Sequence, residues 1–409
     1  MSHPVSPLAP AAQPSLPALA GVRLATGAAG IRYKDRTDVL LVEMAPGTTV
    51  AGVFTKSLTR SAPVDWCKQS LRKGSARALV VNAGNANAFT GKAGEASVDR
   101  TVKAAAQLLG CSPDEVYVAS TGVIGEPMAD DRLTAALPGL KGQLKDDWAA
   151  AASAIMTTDT YPKAVTRTAK IDGVEVRLQG IIKGSGMIQP DMATMLGFIF
   201  TDAAIAAPAL QTLLARYTPR TFNSITVDSD TSTSDTVLLF ATGKAGHAPV
   251  ADAGDSRLSS FRRALEAVMR ELALLVVKDG EGVEKLITIE VSGAASERTA
   301  RKIGLAVANS PLVKTAIAAG DANWGRIVMA VGKAGEKADR DKLSISIGGV
   351  AVARNGARVD GYDEGPIATH MAGRDIRIAV DVGIGHGKAT VWTGDLTHRY
   401  IDINGSYRS

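Results

Sequence analysis

The sequence predicts a mixed α/β (α+β) protein, and two patterns and the composition say so. Strand-like and helix-like apolar runs alternate from Gly21 onward, and the final third is strand-rich. Hydrophobic residues make up 45% of 409 and charged residues 21%, which suits a folded chain with a large core. Aromatics are only 4% while glycines number 41, so the core is expected to be aliphatic and tightly turned.

The elements follow in order. Residues 1–20 carry Pro4, Pro7, Pro10, Pro14 and Pro17 but no Lys or Arg, unlike a signal peptide. They are expected to form a disordered, proline-extended tail. Residues 39–44 read as a strand before the turn Pro46-Gly47. Residues 78–81 read as a second, running into a small polar loop at 82–87. Residues 98–109 read as a helix that stops at Gly110, and 115–119 as a strand ending in Ser120-Thr121-Gly122. The clearest helix is 259–278, where Phe261, Leu265, Val268, Leu272 and Leu275 make one apolar stripe. Lys278 in its last turn and Gly280 just beyond suit a helix end. Strands are expected at 287–291, 343–347, 376–382, 389–392 and 399–403.

Several chemistries are excluded by residue pattern. There is no Gly-x-Ser-x-Gly, so the usual hydrolase elbow is missing. The five histidines form no His-Glu-x-x-His and no metal-ligand spacing. Gly-Lys pairs at 91, 243, 332 and 387 are followed by Ala, which rules out a Walker A loop. The glycine-rich 383–387 segment reads as a sheet turn, because no helix follows it. Asp228-Ser229-Asp230 starts like a calcium loop, but Thr233 and Leu239 stand where Gly and Glu are required. The net charge of +5 is mild and no basic block suggests nucleic acid or a membrane surface. No apolar run is long enough to span a membrane. Cys67 and Cys111 cannot form a disulfide framework, which favours a reducing, cytoplasmic compartment.

The stretch that could carry chemistry is 182–200, where a glycine- and proline-containing loop enters an apolar strand at Ala193-Thr194. One reading makes Thr194 a β-branched strand starter. The other makes it an N-terminal nucleophile created by cutting the Ala193–Thr194 bond. The new α-amine, with an ordinary pKa of about 8, would sit beside its own hydroxyl as the base. Thr121-Gly122 could offer backbone N–H groups to an oxyanion.

Taken together, Lys183-Gly184-Ser185-Gly186-Met187-Ile188 with Ala193-Thr194-Met195-Leu196 resembles the glutamate N-acetyltransferase family (ornithine acetyltransferase of arginine biosynthesis). The likeness extends through Gly52–Lys56, 82–88, 120–125, 156–160, 228–235, 279–282, 323–326 and 389–396, from about Gly21 to Ser409. It implies an α/β sandwich-like domain followed by a second α/β domain, related to N-terminal-nucleophile enzymes. The expected division is a tail at 1–20, a first domain at 21–285 holding the cleavage site, and a second at 286–409. Processing would give chains 1–193 (α) and 194–409 (β), associating as α2β2. The resemblance further implies that Thr194 takes the acetyl group of N-acetylornithine and passes it to glutamate, without metal or organic cofactor. Thr121 and Gly122 match the family's oxyanion pair. Thr160, Lys183, Thr194, Glu281, Asn404 and Ser409 match its substrate-contacting positions. Lys183 suits a carboxylate, Glu281 an ammonium, and Asn404 and Ser409 the polar amino-acid end. The chain departs from the family's common pattern at Ala322, Gly394 and Ser409, where Pro, Cys and Thr are frequent. Use of acetyl-CoA as a second donor stays open. So do two other readings, an N-terminal-Thr amidohydrolase or peptidase and a non-catalytic binding protein on the same fold.

Overall fold

The structure, a computed structural model, describes residues 4–12, 15–32, 36–189 and 195–405. Three sheets organise them. Strands Val22–Gly27, Val39–Met44, Ala78–Asn85 and Val116–Val123 lie side by side in that order as a four-stranded sheet. The first two neighbouring pairs are antiparallel and the last is parallel. A five-stranded sheet has the order Thr49–Phe54, Thr236–Ala241, Leu196–Thr201, Val174–Lys183, Lys163–Ile171.

These two sheets pack face to face. Period-two alternation decides which side chains meet. Leu196, Phe198 and Phe200, with Leu238 and Phe240, point into the space between the sheets, where they join Leu24, Val42, Leu79 and Tyr117. Ile199, Val237 and Leu239 point the other way, against Leu210, Leu213, Leu265 and Leu272 of helices Ala207–Tyr217 and Ser259–Lys278. The few aromatics concentrate between the sheets: Phe200 stacks on Phe240 at 5.1 Å, and Trp148 meets Phe200 edge-on at 5.4 Å. Helices Ala62–Ser70, Gly91–Leu109 and Asp130–Lys141 cover the outer face of the four-stranded sheet. The result is a helix–sheet–sheet–helix sandwich.

A seven-stranded sheet forms the remaining body, in the order Ala357–Arg358, Val350–Arg354, Ser344–Ile347, Asp375–Asp381, Leu286–Ala294, Gly387–Gly394, Ile225–Thr226. Ile287, Ile289 and Val291 face a core built with helices Glu297–Ala308, Pro311–Ala318 and Trp324–Gly332. The alternate residues Thr288 and Glu290 face a polar cleft. The edge strand Ile225–Thr226 comes from the sandwich half of the chain, so the sheet ties the two bodies together.

Most expected elements are present with shifted ends. The helix at 259–278 matches to the residue, and the one expected at 98–109 begins at Gly91. Gly110 closes that helix in the left-handed region, at φ 65°. Four differences matter. The strand at 78–81 continues to Asn85, and that at 115–119 to Val123, so Asn82–Asn85 and Thr121-Gly122 are strand ends rather than loops. Their parallel pairing sets Ala83 opposite Thr121 and Gly84 opposite Gly122, where both glycines take positive φ and the register shifts. Residues 399–403 are not a strand but part of the helix His398–Gly405. Their β-like alternation has no sheet edge to join, and the Asn404 side chain instead donates to the Tyr400 carbonyl one turn back. The helix ends at Lys278 with Asp279 as its cap, so Gly280 lies just beyond it as expected, but without the left-handed backbone common at such a position.

The fourth difference is the N-terminal segment. Residues 4–12 and 15–20 are not a free tail. Leu19 is buried, Gln179 donates to the Pro17 carbonyl, and Ser6 donates its hydroxyl to the Lys278 carbonyl and its N–H to Thr160. Proline-fixed extended backbone lies along the sandwich, with its carbonyls satisfied by side chains that reach out to it.

Candidate active site

The ends of several elements converge on one cavity of about 380 Å³. The strand Val116–Val123 brings Thr121, Gly122 and Val123 to its wall. The strand Val174–Lys183 brings Lys183 from the facing sheet. The turn after the helix Ser259–Lys278 supplies Glu281, and the helix His398–Gly405 supplies Asn404. Thr157 and Thr158, Gly186 and Met187, and Ser232 to Ser234 complete it.

Thr121 and Gly122 owe their place to a close backbone approach. Gly122 adopts φ +132°, and a Cβ on it would lie 2.2 Å from the carbonyl carbon of Gly84. Only glycine fits there. The Lys183 ammonium donates to the Thr121 hydroxyl oxygen at 3.2 Å, so the cation and the Thr121-Gly122 corner share a wall. Burial pushes the Lys183 ammonium below its ordinary pKa. Asp159 opposes that, Lys163 adds to it, and Glu281 and Asp235 again oppose it.

Glu281 is 8% exposed and keeps its place through contacts on every side. Its Oε2 accepts from the Asn404 side-chain amide at 2.8 Å, and its N–H donates to the Ser185 carbonyl. Gly186 lies beneath it, where a Cβ would come within 2.5 Å of Oε2. Burial raises the Glu281 carboxyl, and the Asn404 and Thr158 hydrogen bonds pull it back. Gly282, at φ +74°, packs on the Arg399–Tyr400 backbone, and the Thr397 hydroxyl donates to its carbonyl. The C-terminal helix is thereby docked against the turn that carries Glu281.

Thr160 is placed differently from the other matched positions. It does not line this cavity but a small adjoining recess with Ser6, where its hydroxyl donates to Asp279 and accepts from the Ser6 N–H. Ala193, Thr194 and Ser409 lie outside the described residues. Met195, which follows Thr194 in sequence, is buried and lines a recess with Thr121, Lys183 and Gly184. Its carbonyl accepts from Thr236 at 2.9 Å.

Sequence reasoning assigned no role to Asp159, Lys163 or Asp279, which form a fully buried ion-pair triad behind the cavity. Nor did it assign roles to Gly186 or to the Thr157-Thr158 and Ser232–Ser234 walls. A lysine at the start of a strand gives no sign that it faces inward; the signal is its contact with two aspartates distant in sequence. Asp228, which opens the stretch that resembles a calcium loop, accepts from the N–H groups of Met187 and Ile188 and so shapes the loop beside Glu281.

No group of His, Cys, Asp and Glu among the described residues has the arrangement of a metal site. No described helix is long and apolar enough to cross a membrane. Among the described residues the cavity offers one cation, one carboxylate, amide and hydroxyl groups, and a strand-end corner that only glycine fits. A ligand carrying both a carboxylate and an ammonium matches that set.

The family model described as "ArgJ family" matches residues 23–409. The arginine biosynthesis bifunctional protein ArgJ of Mesorhizobium japonicum is 59% identical over 413 residues, covering 100% of both chains. Its counterpart from Gluconobacter oxydans is 58% identical, covering 99% of this chain and 96% of that one. A crystal structure of the Bacillus halodurans protein of the same name superposes with a TM-score of 0.51 at 38% identity. It covers 52% of this chain and 100% of that chain. Near-complete coverage at such identity leaves one conclusion, that this chain belongs to the ArgJ family.

Proposed function

We propose that the cavity transfers the acetyl group of N2-acetyl-L-ornithine to L-glutamate through an acetyl-Thr194 enzyme, made competent by self-cleavage at Ala193–Thr194. The chain is an acyltransferase of arginine biosynthesis. The observation that carries the reading is the meeting of Thr121-Gly122, Lys183, Glu281 and Asn404, from four separate elements, around one cavity.

In the first half-reaction the α-amine of Thr194 takes the hydroxyl proton as Oγ attacks the acetyl carbonyl. The N–H groups at Thr121 and Gly122 receive the developing oxyanion, an interaction that grows in the transition state. The tetrahedral intermediate collapses, the C–N bond breaks, and ornithine leaves with the proton. In the second half-reaction the glutamate α-amine attacks the acetyl ester and restores Thr194. Lys183 takes the amino acid's carboxylate, while Glu281, oriented by Asn404, takes an ammonium. Thr160 acts from the adjoining recess, and Ser409 from the chain end. The chemistry needs no metal and no organic cofactor. Acetyl-CoA serves as the second donor, in keeping with the word bifunctional in the relatives' names. The processed chains stay together as α2β2 in the cytoplasm. That the Bacillus halodurans chain spans 52% of this one, close to the share held by residues 194–409, supports the cleavage.

Intact mass and acetyl transfer test the reading together. The parent is expected to give pieces of about 20 and 22 kDa, scaling its mass by chain length, and to convert glutamate to N-acetylglutamate. Thr194→Ala is expected to give one uncut mass and no transfer. An uncut yet active parent would overturn the mechanism, and acetate release without transfer would make the enzyme a hydrolase.

A further inference from the structure

Behind the cavity lies a charge cluster for which the acyl-transfer chemistry has no direct use. Lys163 is completely buried, and so are the Asp159 and Asp279 side chains. The Lys163 ammonium donates to Asp159 Oδ1 and to Asp279 Oδ2 at 2.6 Å each, and to the Tyr161 carbonyl at 3.3 Å, which uses all three of its protons. The carboxylates then reach outward. Asp159 accepts from the Gly184 N–H at 2.7 Å and the Thr157 N–H at 3.0 Å. Asp279 accepts from the N–H and hydroxyl of Thr160, while its own carbonyl accepts from Ser185 at 2.7 Å. Every segment held this way carries a residue of the cavity or its recess: Thr157 to Thr160, Lys183 to Gly186, and the Asp279–Glu281 turn.

We propose that this triad is the positioning device of the acyl-transfer site. Lys163 clamps the two aspartates. Asp159 then fixes the Lys183–Gly184 strand end and supplies the counter-charge of the Lys183 ammonium, and Asp279 fixes Thr160 and the Glu281 turn. The proposal rests on the function argued above. With two carboxylates and one ammonium the triad holds a net negative charge, next to a lysine that must stay cationic to hold a substrate carboxylate. Burial raises the Asp159 carboxyl, but Lys163 and Lys183 more than offset it and keep it well below the usual carboxylate range. The charged groups acting on Lys183 include Asp159, Lys163, Glu281 and Asp235, from three different segments. Of these, Asp159 also holds the backbone next to Lys183, accepting from the Gly184 N–H.

A cluster serving the fold alone would behave differently. Neutralising a buried ion network as a whole is often tolerated by the fold. The test is therefore the triple variant Lys163→Met, Asp159→Asn, Asp279→Asn in the full chain, in which the asparagine carbonyls can still accept from Gly184 and Thr160. Two quantities are read: KM and kcat for glutamate, and the pH midpoint for acetylation of Lys183 by acetic anhydride, followed by peptide mass spectrometry. The folded variant is expected to raise KM about tenfold or more, with a smaller change in kcat. Its Lys183 midpoint is expected to fall by about one pH unit, a tenfold loss in proton affinity. A folded variant with the parent's KM and the parent's midpoint would overturn the proposal. Should the triple variant fail to fold, Asp159→Asn alone carries the same two readouts, because Lys163 and Asp279 stay paired. A parent that transfers no acetyl group would refute the function, while the labelling midpoint would still judge the triad.

Discussion

Two cavities in this molecule use charge in opposite ways. The larger, of about 590 Å³, lies on the open face of the seven-stranded sheet and is lined by Arg220, Arg270, Arg377, Lys388, Glu266 and Glu297 among others. Its ions are exposed and pair with each other: Arg220 grips Glu297 with two contacts of 2.9 Å, and Arg270 meets Glu266 one helical turn away at 2.7 Å. The smaller cavity has fewer charges, but Lys183 and Glu281 stand on its wall unpaired with each other, and a fully buried triad backs them. Solvated pairs cost little to hold and contribute little. Buried ions are expensive unless every lone pair and proton is met, so their presence marks where the fold spends stability on function. Size alone would favour the larger cavity; burial of charge favours the smaller.

The contrast can be broken most strongly at its centre. Lys163→Met leaves two aspartates facing each other without a cation and is expected to cost about 3–5 kcal/mol, read as a shift in the urea midpoint. Its pH dependence has a definite sign. The folded Asp159 carboxyl lies below its unfolded value, so the stability it contributes is full above about pH 4 and is lost as pH falls through the folded value. Without Lys163 much of that depression goes, and acid unfolding is expected at a higher pH than in the parent.

Gly122→Ala comes next. Its Cβ would collide with the Gly84 backbone at a φ that disfavours alanine, so the strand end must shift and the N–H groups with it. A fall of about 100-fold or more in kcat is expected. Parent-like kcat would remove this corner from the reaction.

Gly186→Ala acts through a side chain alone. Its Cβ would press on Oε2 of Glu281, the far end of a flexible group, so the carboxylate swings away from Asn404. KM for the ornithine substrate is expected to rise about tenfold, the worth of one hydrogen bond to a charge, with Tm near the parent's. An unchanged KM would show that Glu281 does not contact the substrate.

The smallest effect is expected in the larger cavity. Arg220→Ala is expected to lose about 1 kcal/mol or less, less still in high salt, with kinetics unchanged. A marked kinetic defect would give the sheet-face cleft a role and erase the contrast.

Much of this architecture is legible in order along the chain. The apolar stripe of residues 259–278 and the alternation of Ile287, Ile289 and Val291 depend on local periodicity, and both elements formed where that periodicity placed them. Residues 399–403 misled because alternation is only half of a strand, the other half being a neighbour to bond with. The N-terminal prolines excluded a helix but could not reveal the waiting donors of Gln179 and Thr242, the second of which bonds the Ala20 carbonyl. Within the site, motif likeness singled out Thr121, Gly122, Lys183, Glu281 and Asn404, which the fold gathers around one cavity. It passed over Lys163, whose role lies in partners four and 116 residues away.

The amino-acid sequence alone determined the fold class, the family and the residue types available for the chemistry, because periodicity and motif spacing are properties of neighbours along the chain. The tertiary structure decided which charges are buried, which glycines touch another backbone, and which carboxylate answers which lysine. Those outcomes depend on distance and on the exclusion of water, and both arise only when segments remote in sequence close on one another.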